Sequence, residues 1–208
     1  MTNRMKLVTA GGLLLAAAAA GCGDVNQGRS PSRVVIASLE AARGSDPDEF
    51  GNPLSSDVIT NVTTPSPCSE DNPSPTIFND LGQVTMRIVL RDQGVPGLTA
   101  APSPLNQVTF TRYRVQYRRT DGLATQGVDV PYAFDSGLTF TVPHDGTITM
   151  AFELVRSVAK QEAPLRELRV SGRQIATVAD VTFFGRDLAG NDVAVAGSIA
   201  VNFANFGD

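Results

Sequence analysis

The run RYRVQYRR places four arginines within the eight residues from Arg112 to Arg119. Arg112, Arg114 and Arg118 share one parity. In an extended strand they stand on one face, with Tyr113, Val115 and Tyr117 on the other. A row of guanidinium groups can bind carboxylate or phosphate through paired hydrogen bonds. Arg112, Arg114 and Arg118 are therefore candidates for an anion-binding stripe, with an anionic polymer as the ligand class. The same alternation is what any half-buried strand requires, with aromatic side chains inside and charges in water. The pattern favours this second reading.

Other chemistry is thinly represented. His144 is the single histidine. Metal motifs that need two histidines, HExxH among them, are thereby excluded. A serine–histidine–acid triad would have to use His144, yet that residue sits in VPHDG, a turn sequence that explains it without catalysis. No residue is assigned a catalytic role. Paired carboxylates are the one catalytic device still open, because a glycosidase-type hydrolase needs only two acids at the right separation. Glu153 and Asp180 are the candidates for that alternative. Calcium would want several loop oxygens. The stretches from Gly44 to Asn52 and from Asp187 to Asp192 offer some, but without EF-hand spacing, and Asp and Asn are ordinary turn residues. No metal or other cofactor is expected. The chain contains three tyrosines and no tryptophan, which is little material for stacking on sugars.

The elements that must position these residues begin after an N-terminal leader. Arg4 and Lys6 precede an apolar or small run, Leu7 to Ala20, too short to span a bilayer. That is the layout of a secretory signal peptide. Ala19-Ala20-Gly21-Cys22 resembles the lipobox cut by the lipoprotein signal peptidase of bacteria. The resemblance implies cleavage after residue 21, acylation of Cys22, and attachment to the cell envelope through lipid. Gly23 follows the cysteine and Asp24 stands one place too late for an inner-membrane retention signal, so the outer membrane is favoured. Residues 22–32 read as a flexible tether. If Cys22 is acylated, Cys68 lacks a partner in the chain; the alternative is a Cys22–Cys68 disulfide in a protein that is not lipidated. The 208-residue chain carries a formal charge of −4. Loss of residues 1–21 would leave 15 basic against 21 acidic side chains, a charge of −6. Such a balance argues against nucleic acid as a partner.

From residue 33 to 82 the composition is loop-rich. Val34-Val35-Ile36 reads as a strand, Ala37 to Arg43 contains good helix formers, and Asp57 to Val62 suits an edge strand. At Gln83 a period of two sets in. Val84, Met86, Ile88 and Leu90 alternate with Thr85, Arg87, Val89 and Arg91. In the next run Val108 and Phe110 share one phase and Tyr113, Val115 and Tyr117 the other, which predicts a bulge near Thr111-Arg112. Leu138 to Val142 and Ile148 to Leu154 flank Asp145-Gly146 and predict a hairpin over 138–155. Ser157 to Leu168 suits a short helical turn. The strands Val178–Arg186 and Val193–Phe203 flank the turn Asp187 to Asn191. The predicted inward set is Val84, Met86, Ile88, Leu90, Phe110, Val115, Phe140, Ile148, Met150, Phe152, Val181, Phe183, Val193, Val195, Ile199 and Val201.

The segment FFGRDLAGNDVAVAG resembles the closing hairpin of bacterial immunoglobulin-like and fibronectin type III-like domains. Phe183 and Phe184, then Asp187, Ala189, Gly190 and Asn191, then Val193 and Val195 carry the resemblance. It implies an all-β fold, an antiparallel immunoglobulin-like β-sandwich over residues 83–207 with little helix. The resemblance implies an architecture and not a reaction. Taken with the shortage of catalytic groups, it leads to the expectation of a non-catalytic interaction or structural module of the envelope, with a protein partner there.

Overall fold

A computed structural model describes residues 30–207 except 93, 96 and 97. Its strands, in chain order, are β1 (Ser32–Ala42), β2 (Leu54–Asp57), β3 (Thr60–Val62), β4 (Ser74–Thr76), β5 (Asp80–Leu90), β6 (Gly94–Val95), β7 (Leu98–Thr99), β8 (Val108–Arg119), β9 (Phe134–Val142), β10 (Thr147–Val155), β11 (Ile175–Asp187) and β12 (Asp192–Ala204). Among the described residues, helix is confined to short 3-10 turns and the four-residue α1 (Leu168–Ser171). The fold is all-β.

Two sheets carry the structure. One has the order β1-β5-β10, and the other β2-β12-β11-β8-β9. All pairs in them are antiparallel except β2 with β12, which run parallel. The second sheet is therefore mixed, where alternation alone suggested an antiparallel one. β3–β4 and β6–β7 are separate two-stranded ribbons.

The apolar faces of the two sheets meet. Phe183 of β11 is fully buried and lies 5.3 Å, centroid to centroid, from Phe152 of β10. Phe152 also meets Tyr113 of β8 at 5.2 Å. Phe110 and Phe140, cross-strand partners on β8 and β9, stack at 5.3 Å and border the same cluster. Each such side chain stabilises by about 1.5–3 kcal/mol through burial, with edge-to-face geometry adding to it. Phe152 faces Gly82 on β5, and its ring fills the space a side chain there would need: a Cβ on Gly82 would fall 2.4 Å from Phe152 Cζ.

Of the predicted inward set, most are buried, while Leu90, Ile148, Met150, Val193 and Val195 are only partly covered. Val193 and Val195 lie at the start of β12, where no described strand flanks one edge. The phase slip in β8 is real: its register with β9 shifts between Phe110 and Arg112. The turn after β11 is also where the sequence put it, with Gly190 at φ +84°, a conformation glycine adopts at no steric cost.

Three expectations need correction or extension. Residues 138–155 are not a hairpin. Gly146 makes the turn at φ +82°, but β9 bonds to β8 in one sheet and β10 to β5 in the other. An Asp-Gly turn dictates a reversal, not the partners of the strands it joins. The arch places Phe140 and Phe152 on opposite sides of one core, where a hairpin would leave them on one sheet. Second, the helix formers after Ile36 continue as strand: β1 runs to Ala42 beside β5, with a register shift between Ile36 and Ser38 that disguises its period. Third, β5 begins at Asp80, so the boundary at 82/83 falls inside a strand, and residues 32–42 are part of the three-stranded sheet.

Candidate functional site

β8 presents its arginines as the parity requires. Arg112, Arg114 and Arg118 are exposed, and Tyr113, Val115 and Tyr117 are buried behind them. Each cation is already engaged. Arg112 and Arg114 share Asp135 of β9, at 2.6 and 3.2 Å. Arg118 holds Asp180 of β11 at 2.9 Å, and Asp180 also accepts from the Ser198 hydroxyl of β12 at 2.6 Å. The Arg112 guanidinium lies over the Phe184 ring, 4.1 Å from its centroid. An incoming anion would have to compete with Asp135 and Asp180. The arrangement is a ladder of exposed ion pairs across three strands, each worth about 0–1 kcal/mol.

The alternative acids do not converge. Asp180 stands on the outward face of the five-stranded sheet, tied to Arg118. Glu153 is on β10 of the other sheet, with Arg156 Nε at 3.8 Å. Both layers of the core separate them. His144 sits in the β9–β10 turn with Nδ1 3.5 Å from Asp145 and no hydrogen bond to that nitrogen. Among the described residues no three His, Cys, Asp or Glu side chains converge as a metal site. In the 187–192 turn, burial works against ionisation of Asp187. Hydrogen bonds from the side chains of Asn191 and Ser30 and from the amides of Asn191 and Ala189 nevertheless hold its carboxyl below the ordinary carboxylate range. Asp192 is paired with Arg186 at 2.7 Å. Cys68 is a free thiol on a loop. Cys22 and the leader lie outside the described residues. Among the described residues no helix is long and apolar enough to cross a membrane.

Sequence reasoning passed over two features. The first is a buried ion pair. Lys160 reaches from the first 3-10 turn after β10 to Asp80 at the start of β5, with Nζ 2.9 Å from both carboxylate oxygens. Both side chains are 1% exposed. The Ser56 hydroxyl donates to the same carboxylate at 2.6 Å and the Gly44 amide at 3.0 Å. The Tyr117 hydroxyl donates nearby to the Leu154 carbonyl. Burial, reinforced by the negative charges of Asp80 and Glu153, pushes the Tyr117 hydroxyl far above its ordinary pKa and keeps it neutral. Three separate segments are thus pinned to the carboxylate of a fourth. Lys160 is the only lysine after residue 6, and that scarcity is the one signal the sequence offered.

The second feature is a cleft of about 1040 Å³ along one side of the molecule, between the beginning of β1 and the beginning of β12. Val34, Leu90, Val193 and Val195 form its apolar part, and Arg33, Arg91 and Arg112 reach its rim. Beside it the outer edge of β12 is open. β2 pairs only with Val201–Ala204, and no described strand bonds to that edge over residues 192–200.

Comparison of the chain with known protein families, with characterised proteins and with solved structures found no match.

Proposed function

We propose that this chain is an exported lipoprotein of the bacterial cell envelope, held at the membrane through acylated Cys22. Its folded part acts as a non-catalytic interaction module on an immunoglobulin-like β-sandwich. The anchor rests on the sequence: a basic start, an apolar run too short to span, and small residues before Cys22. Gly23 after the cysteine favours the outer membrane. Two facing sheets and the β11–β12 hairpin with its D-x-A-G-N turn support the immunoglobulin-like reading, with the parallel β2 added at an edge.

The observation that carries the interaction reading is the edge of β12 that no described strand pairs over residues 192–200. Exposed strand edges invite pairing, and proteins guard them with charges, prolines or covering segments. From Asp192 to Ala200 the only charged residue is Asp192, at the very start, and there is no proline. A cleft runs beside the first half of this edge. An edge left this plain suits a partner that pairs with it. Intact mass of the protein from the membrane fraction tests the anchor: the expected chain begins at Cys22 and carries acyl mass, and a different start or an unmodified cysteine overturns it. A broad hydrolase screen tests the non-catalytic reading, which robust turnover abolished by Glu153→Gln would overturn.

A further inference from the structure

Resting on the reading of this domain as an interaction module, we infer that the β1–β12 cleft takes an extended, acidic segment of a partner protein, which adds to β12 as a further strand beside Asp192–Ala196.

Three observations converge on that occupant. The first is the backbone. Over these residues β12 bonds to β11 on one side and to no described strand on the other. An added strand would satisfy the outward amides and carbonyls, as in other cases of strand addition. The second is the floor. Val34 is buried, Val193 and Val195 are half-buried, and Leu90 lies beside them. Alternate side chains of an added strand, standing on one face, would complete their burial. The third is charge. Arg33 and Arg91 are exposed at the rim and form no ion pair among the described residues, unlike the arginines of β8. Asp192, the one acid at the rim, is neutralised by Arg186. The rim is therefore net positive, and the complementary segment is acidic.

Other anionic ligands fit less of this surface. A phosphate group would meet the arginines but leave the valine floor exposed. An acyl chain would cover the valines but bury the edge amides without partners, which is unfavourable for each one buried. Only a peptide answers all three features.

The test uses the full-length protein extracted from membranes and a capped synthetic peptide of alternating Val and Glu. Two control probes are a Val–Lys peptide and the Val–Glu peptide with alternate backbone nitrogens methylated. The Val–Glu probe should bind and slow amide exchange at residues 192–196, and both controls should fail. Arg33→Glu with Arg91→Glu should weaken binding by about tenfold or more, on the scale of losing two rim pairs and gaining repulsion. Both arginines are exposed, and the methylated probe makes its comparison on unaltered protein, so misfolding cannot imitate the result. Equal binding of the methylated probe would overturn strand addition, and equal binding of the Val–Lys probe would overturn the charge assignment. Vesicles containing phosphatidylglycerol that displace the probe and slow the same amides would make the cleft a membrane contact instead. A cleft indifferent to the Val–Glu probe overturns this inference alone, because the mass and hydrolase measurements judge the anchored module separately.

Discussion

The arginine ladder on β8 and the Lys160–Asp80 pair are built from the same chemistry on opposite sides of the solvent boundary. In the ladder every partner keeps a large share of its surface in water; Arg118 and Asp180 are 52% and 39% exposed. Lys160 and Asp80 keep 1% each. Water already solvates the exposed charges well, so pairing them adds little, and salt screens what remains. The buried pair has lost its water. Its charges are tolerable only because each is held by the other, and because Ser56 and Gly44 also donate to Asp80. The difference teaches that the conspicuous charges of this protein are the dispensable ones. The inconspicuous pair fixes the fold, by tying the β2 strand, the turn after β1 and the turn after β10 to a single carboxylate at the start of β5.

The most direct way to break this comparison is to remove one member of the buried pair. Lys160→Ala leaves Asp80 buried without its counter-charge, and Asp80→Ala leaves an ammonium in the same position. Each should cost about 3–5 kcal/mol, read from equilibrium unfolding in urea. The double replacement Asp80→Leu with Lys160→Met should cost far less than the sum, because it leaves no orphaned charge. Single variants as stable as the parent would mean that water reaches the pair, and the contrast with β8 would disappear.

A purely apolar loss calibrates the scale. Phe152→Ala removes a ring that touches Tyr113 and Phe183 and covers Gly82. It should cost about 3–5 kcal/mol, comparable to an orphaned charge. Thr149→Ala, on the opposite phase of β10, loses an exposed hydroxyl contact to Thr85 at 2.8 Å and should cost under about 0.5 kcal/mol. Equal stability of the two variants would place β10 in the wrong phase and remove the buried reference.

How much of this was legible follows from how far apart the partners lie. The bulge in β8 was readable because Phe110 and Tyr113, three residues apart, are both inward, which a regular strand forbids. The β11–β12 hairpin was readable because its turn residues and both strands are contiguous. The β9–β10 arch was misread because a turn signal is local, whereas the competition of β8 and β5 for those strands is not. β1 hid behind its own register shift. The partners of Asp80 lie 36, 24 and 80 positions away at Gly44, Ser56 and Lys160, and no periodicity connects them. The arginine stripe was found, but Asp135 and Asp180, which neutralise it, stand on neighbouring strands whose order the sequence does not state. The free edge of β12 was invisible for the same reason: alternation says which face of a strand is buried and nothing about which edge is paired.

The smallest effect is the sharpest test of the exposed half of the comparison. Arg118→Ala removes one pair of the ladder and leaves Asp180 with the Ser198 hydroxyl and open water around it. The desolvation that makes an orphaned Asp80 costly is absent there, so the loss should be about 0–1 kcal/mol at low salt. At high salt it should shrink further, since ions screen exposed pairs within a few ångströms. The cost of Lys160→Ala should be nearly unchanged by the same salt, because its site excludes the ions that would screen it. Unfolding curves of both variants at two ionic strengths separate the cases. A loss from Arg118→Ala that is large and indifferent to salt would show that the ladder is part of the scaffold after all. A small and screened loss would leave β8's outer face as a solvated surface, with its arginines free to be exchanged one at a time.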